Sequence, residues 1–161
     1  MTGADGKSFF ADAMLGRLAR WLRVMGYDCA YERHIDDALL ARRALAEDRV
    51  ILTRDRLLCE RRAVRGRFLF IEADGIDEQV AQVREAFGID ASRFLTRCLR
   101  CNLLLEEVSK DAAAPLVPAY VRDTQERFLR CPGCERTYWG GTHRARMREE
   151  VGRLLAPKTQ R

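Results

Sequence analysis

Acidic residues stand at the ends of the short apolar runs of this sequence. Asp12 follows Phe9-Phe10-Ala11, Asp55 follows Val50-Ile51-Leu52-Thr53-Arg54, and Glu72 and Asp74 follow Phe68-Leu69-Phe70-Ile71. Asp36 and Asp37 instead open an Ala- and Leu-rich stretch. Carboxylates gathered in one cleft repel each other unless cations lie between them, and hard ions such as Mg²⁺ or Mn²⁺ suit an all-oxygen site. Two such ions about 3.5–4 Å apart orient a water, lower its pKa and stabilise the leaving oxygen of a phosphodiester. That chemistry needs several Asp or Glu and no His, Ser or Cys nucleophile. The chain has two histidines, His34 and His143, and no glycine-rich phosphate loop of recognised spacing. Taken singly, Asp12, Asp36 and Asp55 also suit helix N-caps, where a carboxylate accepts from backbone amides and the dipole favours an anion. The metal reading therefore depends on these acids meeting at one edge.

A second chemistry lies in the cysteines. Cys98-x-x-Cys101 and Cys131-x-x-Cys134 offer four thiolates in the arrangement of a tetrahedral zinc site. Cys131-Pro132-Gly133-Cys134 has the tight-turn residues of a zinc knuckle. Disulfide or redox use is the alternative, disfavoured because cytosolic thiols stay reduced and because both pairs lie beyond the strand-helix pattern of the main domain. Four cysteines leave no open position on the metal, so such a zinc holds a fold and activates no water. Cys29 and Cys59, isolated among apolar or helical neighbours, read as inert buried thiols.

These groups need a scaffold. Met14, Leu15, Leu18, Leu22 and Met25 recur at helical spacing and predict a helix from about Ala13 to Met25, closed by Gly26. The pattern then predicts a strand at Asp28–Tyr31 and helices at about 38–47, 56–64 and 77–87, with strands at 49–53 and 68–71 between them. Strands alternating with helices of this length point to an α/β fold with a parallel sheet and right-handed crossovers. In such a sheet all carboxyl ends lie on one edge, so Asp12, Asp55 and the acids after residue 71 converge. Beyond Thr96 the pattern changes. Short strands are predicted at Leu103–Leu105 and Phe128–Leu129, an irregular connector at 110–118, and a last helix at about 144–155 with Met147, Val151, Leu154 and Leu155 buried.

With 161 residues there is room for one ordinary domain and a small appendage. No apolar run approaches the roughly 20 residues of a membrane span, and the N-terminus has no signal-like segment, so a cytoplasmic location is expected. Lys and Arg balance Asp and Glu at 16 each over residues 1–96, whereas residues 97–161 hold 13 against 8. A basic segment beside a neutral domain suits a polyanionic partner. Tyr138 and Trp139, followed by His143, Arg144 and Arg146, could grip single-stranded nucleic acid by stacking and phosphate contact. Alternatively, Trp139 is core and the arginines form a solvated helix face.

Asp12-Ala13-Met14-Leu15-Gly16-Arg17-Leu18-Ala19-Arg20-Trp21-Leu22-Arg23, the later Leu52-Thr53-Arg54-Asp55-Arg56, the paired Cys-x-x-Cys and Tyr138-Trp139-Gly140-Gly141-Thr142-His143 together resemble the Mut-seven carboxy-terminal ribonuclease family, from about Phe9 to Leu155. The resemblance implies a PIN-like three-layer nuclease domain at 1–95 and a zinc-ribbon domain with a basic C-terminal helix at 96–161. It implies catalytic Mg²⁺ or Mn²⁺ on Asp12, Asp37 and Asp55, with Asp36 and Asp74 as further acids, structural Zn²⁺ on the four cysteines, and RNA as the partner. Asp37 fits the middle position through the spacing to Leu40, Ala41 and Ala44, and Asp74 is the nearest match to a fourth acid. Arg17, Arg20 and Arg54 are candidate phosphate contacts, although nothing in the sequence separates them from surface arginines. The expected function is a metal-dependent endoribonuclease; the alternative is a non-catalytic RNA-binding zinc-ribbon protein.

Overall fold

Short runs of aromatic and β-branched residues, SFFA in β1 (Ser8–Ala11) and VILT in β3 (Val50–Thr53), form strands with almost no exposed position. Such strands suit the middle of a parallel sheet covered on both faces. In the computed structural model, which describes residues 6–157, they are the two central strands of a parallel sheet. Its order is β2-β1-β3-β4, with β2 at Asp28–Tyr31 and β4 at Phe68–Phe70.

Topology then dictates the layers. The chain leaves β1 toward one edge through α1 (Gly16–Val24), then reverses and reaches β3 through α2 (Asp37–Ala46) and β4 through α3 (Arg56–Glu60). Right-handed crossovers running in opposite directions must cover opposite faces. Accordingly, Leu18, Ala19 and Leu22 of α1 pack with Phe9, Ala11 and Leu52, while Leu40, Ala41, Ala44 and Leu58 pack with Phe10 and Ile51 on the other side. Each fully buried Leu, Ile or Phe among them contributes roughly 1.5–3 kcal/mol. After β4, α4 (Ile76–Phe87) returns to the α1 face with Ile76, Val80 and Val83. The result is a three-layer α/β unit whose direction reverses between β1 and β3. That gap at the carboxyl edge is where diverging loops leave a crevice.

Local chemistry explains the turns. Tyr31 donates from its hydroxyl to the Ala13 carbonyl at 3.2 Å, and a Cβ on Gly16 would lie 2.7 Å from that hydroxyl. Gly16 therefore permits the close passage, and the predicted first helix is split there into a 3₁₀ turn (Ala13–Leu15) and α1. The predicted third helix is likewise divided, α3 ending before a 3₁₀ turn at Arg62–Val64.

The remaining strands form an antiparallel sheet of order β5-β6-β7: β5 (Glu106–Val108), β6 (Phe128–Arg130) and β7 (Thr137–Trp139). Two expectations are corrected here. Leu103–Leu105 makes an isolated bridge, Leu104 to Arg97, and the strand begins at Glu106 instead. The Leu103 carbonyl is already used by the Cys98 amide at 2.8 Å, which holds this run in a turn. Residues 110–118 are not irregular: α5 (Lys110–Ala113), capped by the Ser109 hydroxyl, leads through a 3₁₀ turn (Ala114–Leu116) to α6 (Ala119–Thr124). Pro115 and Pro118 sit at helix starts, where a missing amide costs nothing.

The last helix, α7 (Thr142–Leu155), buries Met147, Val151 and Leu154 in the same core as α1 and α4. Arg84 donates to the Leu155 carbonyl and Arg153 forks onto Asp77 at 2.7 and 3.1 Å. Among the described residues no helix is long and apolar enough to cross a membrane.

Candidate active site and metal centre

The register of β1 and β3 brings two of the expected acids together. Ala11 stands opposite Leu52 and the Asp12 amide donates to the Leu52 carbonyl at 2.9 Å, so Asp12, one residue past its strand, lies beside Thr53. Alternation turns Asp12 and Thr53 toward the α2/α3 side, the side of Phe10 and Ile51. Asp12 is buried, and its carboxylate accepts three hydrogen bonds: from the Met14 amide at 2.8 Å, the Thr53 hydroxyl at 2.6 Å and the Arg54 amide at 2.7 Å. Thr53 Oγ1 in turn accepts the Asp55 amide at 2.9 Å. One hydroxyl therefore joins the loops after β1 and β3. Asp12 is both an N-cap and a member of the cluster; the two readings are compatible.

Both helices on that side begin at the crevice. Asp55 caps α3, with Oδ1 accepting from Leu57 and Leu58 at 2.8 and 3.3 Å. Asp36 caps α2, accepting from Leu39 at 2.9 Å, which leaves Asp37 as the first helical residue. Partial burial, the Asp55 charge, a hydrogen bond shared with Asp55 and the Asp12 charge push the Asp37 carboxyl above its ordinary range, with Arg61 opposing. Asp12, Asp37 and Asp55 thus share one electrostatic environment; Asp36 is exposed and caps α2 through Oδ1, as Asp55 caps α3. Asp74 stands apart. Its carboxylate is 94% exposed and pairs with Arg54, whose guanidinium also bonds the Ala73 carbonyl and ties the end of β3 to the loop after β4.

Only one group of three or more His, Cys, Asp or Glu among the described residues has all its ligand atoms within 4.8 Å of one another: Cys98, Cys101, Cys131 and Cys134. No trio of carboxylates among the described residues meets that limit. The two cysteine knuckles repeat one hydrogen-bond pattern. Cys98 N donates to Leu103 O and Asn102 N to Cys98 O at 2.8 and 2.9 Å; Cys131 N donates to Arg136 O and Glu135 N to Cys131 O, both at 3.0 Å. The residue after each second cysteine, Asn102 or Glu135, has positive φ, 66° and 60°. Cys98 Sγ lies 3.6 Å from Cys134 Sγ, close to the roughly 3.8 Å edge of a tetrahedron with about 2.3 Å zinc–sulfur bonds. Burial would raise the Cys98 thiol, but bonds from the Tyr138 hydroxyl (3.3 Å) and the Cys101 amide (3.4 Å) outweigh it and hold the group at about 6. Cys101 is pushed up to about 12 by its hydrogen bond to Cys134, burial and the neighbouring sulfurs. Four thiolates crowded together need a cation, and this geometry is compatible with a zinc ribbon.

Sequence reasoning missed what docks the first knuckle to the sheet. Arg23 of α1, 8% exposed, donates to Cys29 O at 2.9 Å and to Leu99 O and Arg100 O at 3.1 Å. Asn102 accepts the Cys29 amide at 3.0 Å and donates to Asp28 at 2.6 Å. Both cover the open edge of β2, and the contacts that cross from the first knuckle to α1 and β2 span more than 70 residues, beyond any local pattern. Of the remaining candidates, Arg17 and Arg20 are exposed on α1, His143 and Arg146 are exposed on α7, and Arg144 lies over the Phe94 ring at 5.5 Å. Trp139 is half-buried against the small core of Ala113, Val121 and Phe128.

A comparison with family models matches the Mut7-C RNAse domain over residues 7–151. No curated protein matches the chain, and no solved structure does. The match spans the crevice, the cysteine knuckles and most of α7, and the chain belongs to the Mut7-C RNAse domain family.

Proposed function

We propose that this protein is a metal-dependent endoribonuclease in which Asp12, Asp37 and Asp55 hold Mg²⁺ or Mn²⁺ at the carboxyl edge of the sheet. Membership of an RNAse family supports RNA as the substrate. The observation that supports the metal reading is the raised Asp37 carboxyl, which owes most to partial burial and then to the neighbouring Asp55 and Asp12. An all-carboxylate donor set suits a hard cation. Asp12 retains about one acceptor position after its three bonds, and Asp55 Oδ2 is not used by the α3 cap. When bound, such a cation supplies Lewis-acid activation of water and stabilises charge on the phosphodiester.

The chain's own residues do the positioning. Thr53 fixes Asp12 relative to Asp55, and the start of α2 presents Asp37 to both. Arg17 and Arg20, three residues apart and exposed on α1, offer phosphate contacts leading away from the crevice. The cysteine site takes structural zinc and holds the ribbon.

The test is cleavage of end-labelled RNA with Mn²⁺, with Mg²⁺ and with no added cation. Chelators are avoided because they would also strip zinc. We expect internal cuts that require the cation and fall at least about a hundredfold in Asp37→Asn. Cleavage that ignores the cation or survives this substitution overturns the proposal. Binding without products, equal in both proteins, supports the non-catalytic RNA-binding reading.

A further inference from the structure

Apart from the acid crevice there is a cleft of about 840 Å³ between α1, α6, β7 and the start of α7. No Asp or Glu lines it, in a chain that carries 24 of them. Arg20, Arg136, Arg144 and Arg146 line it, together with the aromatic residues Tyr120 and Trp139. None of the four arginines has a carboxylate within ion-pair distance among the described residues. Burial and then the like charges of Arg148 and Arg127 hold Arg144 below its ordinary range. Tyr120 is 69% exposed, so its ring is accessible from solvent. Thr137, also on the wall, has a buried hydroxyl without a hydrogen-bond partner.

Cationic walls and accessible rings are the features that bind unpaired nucleotides, through phosphate contact and base stacking. The volume lies within the range of ligand pockets and exceeds what a single base needs. A base inside an A-form duplex cannot reach such rings, because it is already paired and stacked. Arg20 links this cleft in sequence to the crevice: it stands on α1, eight residues beyond Asp12. We infer that the cleft holds one or two unpaired nucleotides of the RNA and so directs the enzyme to sites that adjoin a single-stranded segment. The consequence for cleavage rests on the nuclease reading above; the binding itself does not.

The experiment uses full-length, zinc-loaded Asp37→Asn protein without added Mg²⁺ or Mn²⁺, so that no RNA is cut. Fluorescence anisotropy compares a short labelled single strand with a blunt duplex of the same sequence. The single strand is expected to bind at least about tenfold tighter, and Tyr120→Ala and Arg146→Glu each to weaken it by about tenfold. Trp139 touches the small core, so the exposed Tyr120 is the safer aromatic to remove; circular dichroism and zinc content verify the fold of each variant. Equal affinity for strand and duplex overturns the inference, as does unchanged binding in both variants. Displacement of the RNA by an equimolar acidic peptide overturns it as well, since the cleft would then serve a protein. Cleavage is not read in this assay, so its failure leaves the nuclease proposal standing, and failure of the nuclease proposal leaves this result intact.

Discussion

The three aspartates of the crevice differ in how they are held, and that difference separates structural from chemical effects. Asp12 receives three donors, two of them backbone amides of fixed direction. Replacing it by Asn leaves at least one amide facing an NH₂ group or unpaired, a loss of about 1–3 kcal/mol, so Asp12→Asn confounds activity with folding. Asp37 has like-charged neighbours instead. Asp37→Asn is expected to remove activity and to raise the melting temperature of the protein free of added Mg²⁺ and Mn²⁺ by a few degrees. The pH dependence follows from the direction of the shift. A carboxyl raised in the folded state favours folding at low pH and loses that contribution as pH climbs from the ordinary carboxylate range through the raised value. The advantage of Asp37→Asn over the parent should therefore be absent in acid, grow with pH across that window, and shrink when Mn²⁺ saturates the parent at neutral pH. Thermal melts over pH check this. An advantage that is the same at every pH would mean that Asp37 does not feel its neighbours.

At the scale of elements, much was readable because the relevant signals are periodic and local. The FFA and VILT runs end in acids, and a parallel sheet places those ends on one edge regardless of their separation in sequence. Helix α4 and its Gly88 terminus, at φ 68°, followed from spacing and a glycine. The neighbouring Asp36 and Asp37 divide their roles by one step of helical rotation, which puts one on the Leu39 amide and the other toward Asp55. The helices α5 and α6 were hidden because prolines that normally interrupt a helix can also start one. The docking of the first knuckle was hidden because Arg23 looks like one more arginine of a basic helix until its three carbonyl partners are placed in space. Those contacts make the sheet edge and the cysteine site interdependent. Arg23→Met strands three carbonyls, and zinc should leave faster when a metallochromic dye competes for it, with stability lowered by about 1–3 kcal/mol. Release at the parent rate would show that the knuckle holds itself.

Over the whole molecule, α7 ties the two sheets together. It starts at the edge of the basic cleft and ends against α4, burying Met147, Val151 and Leu154 beside α1. The chain carries a net charge of +5, yet its acids and bases are segregated where they matter: carboxylates at the crevice, and arginines without acids, Arg20 of α1 among them, lining the cleft. A polyanion can be drawn to such a surface while a cation neutralises the cutting end. This arrangement stands or falls on whether the crevice shares a metal. The most direct measurement is the anomalous map of a crystal soaked in Mn²⁺. The account predicts a peak touched by Asp12, Asp37 and Asp55, absent in Asp37→Asn crystals treated alike. Saturating Mn²⁺ with no peak between those three side chains, while the crevice stays open to solvent, would contradict it.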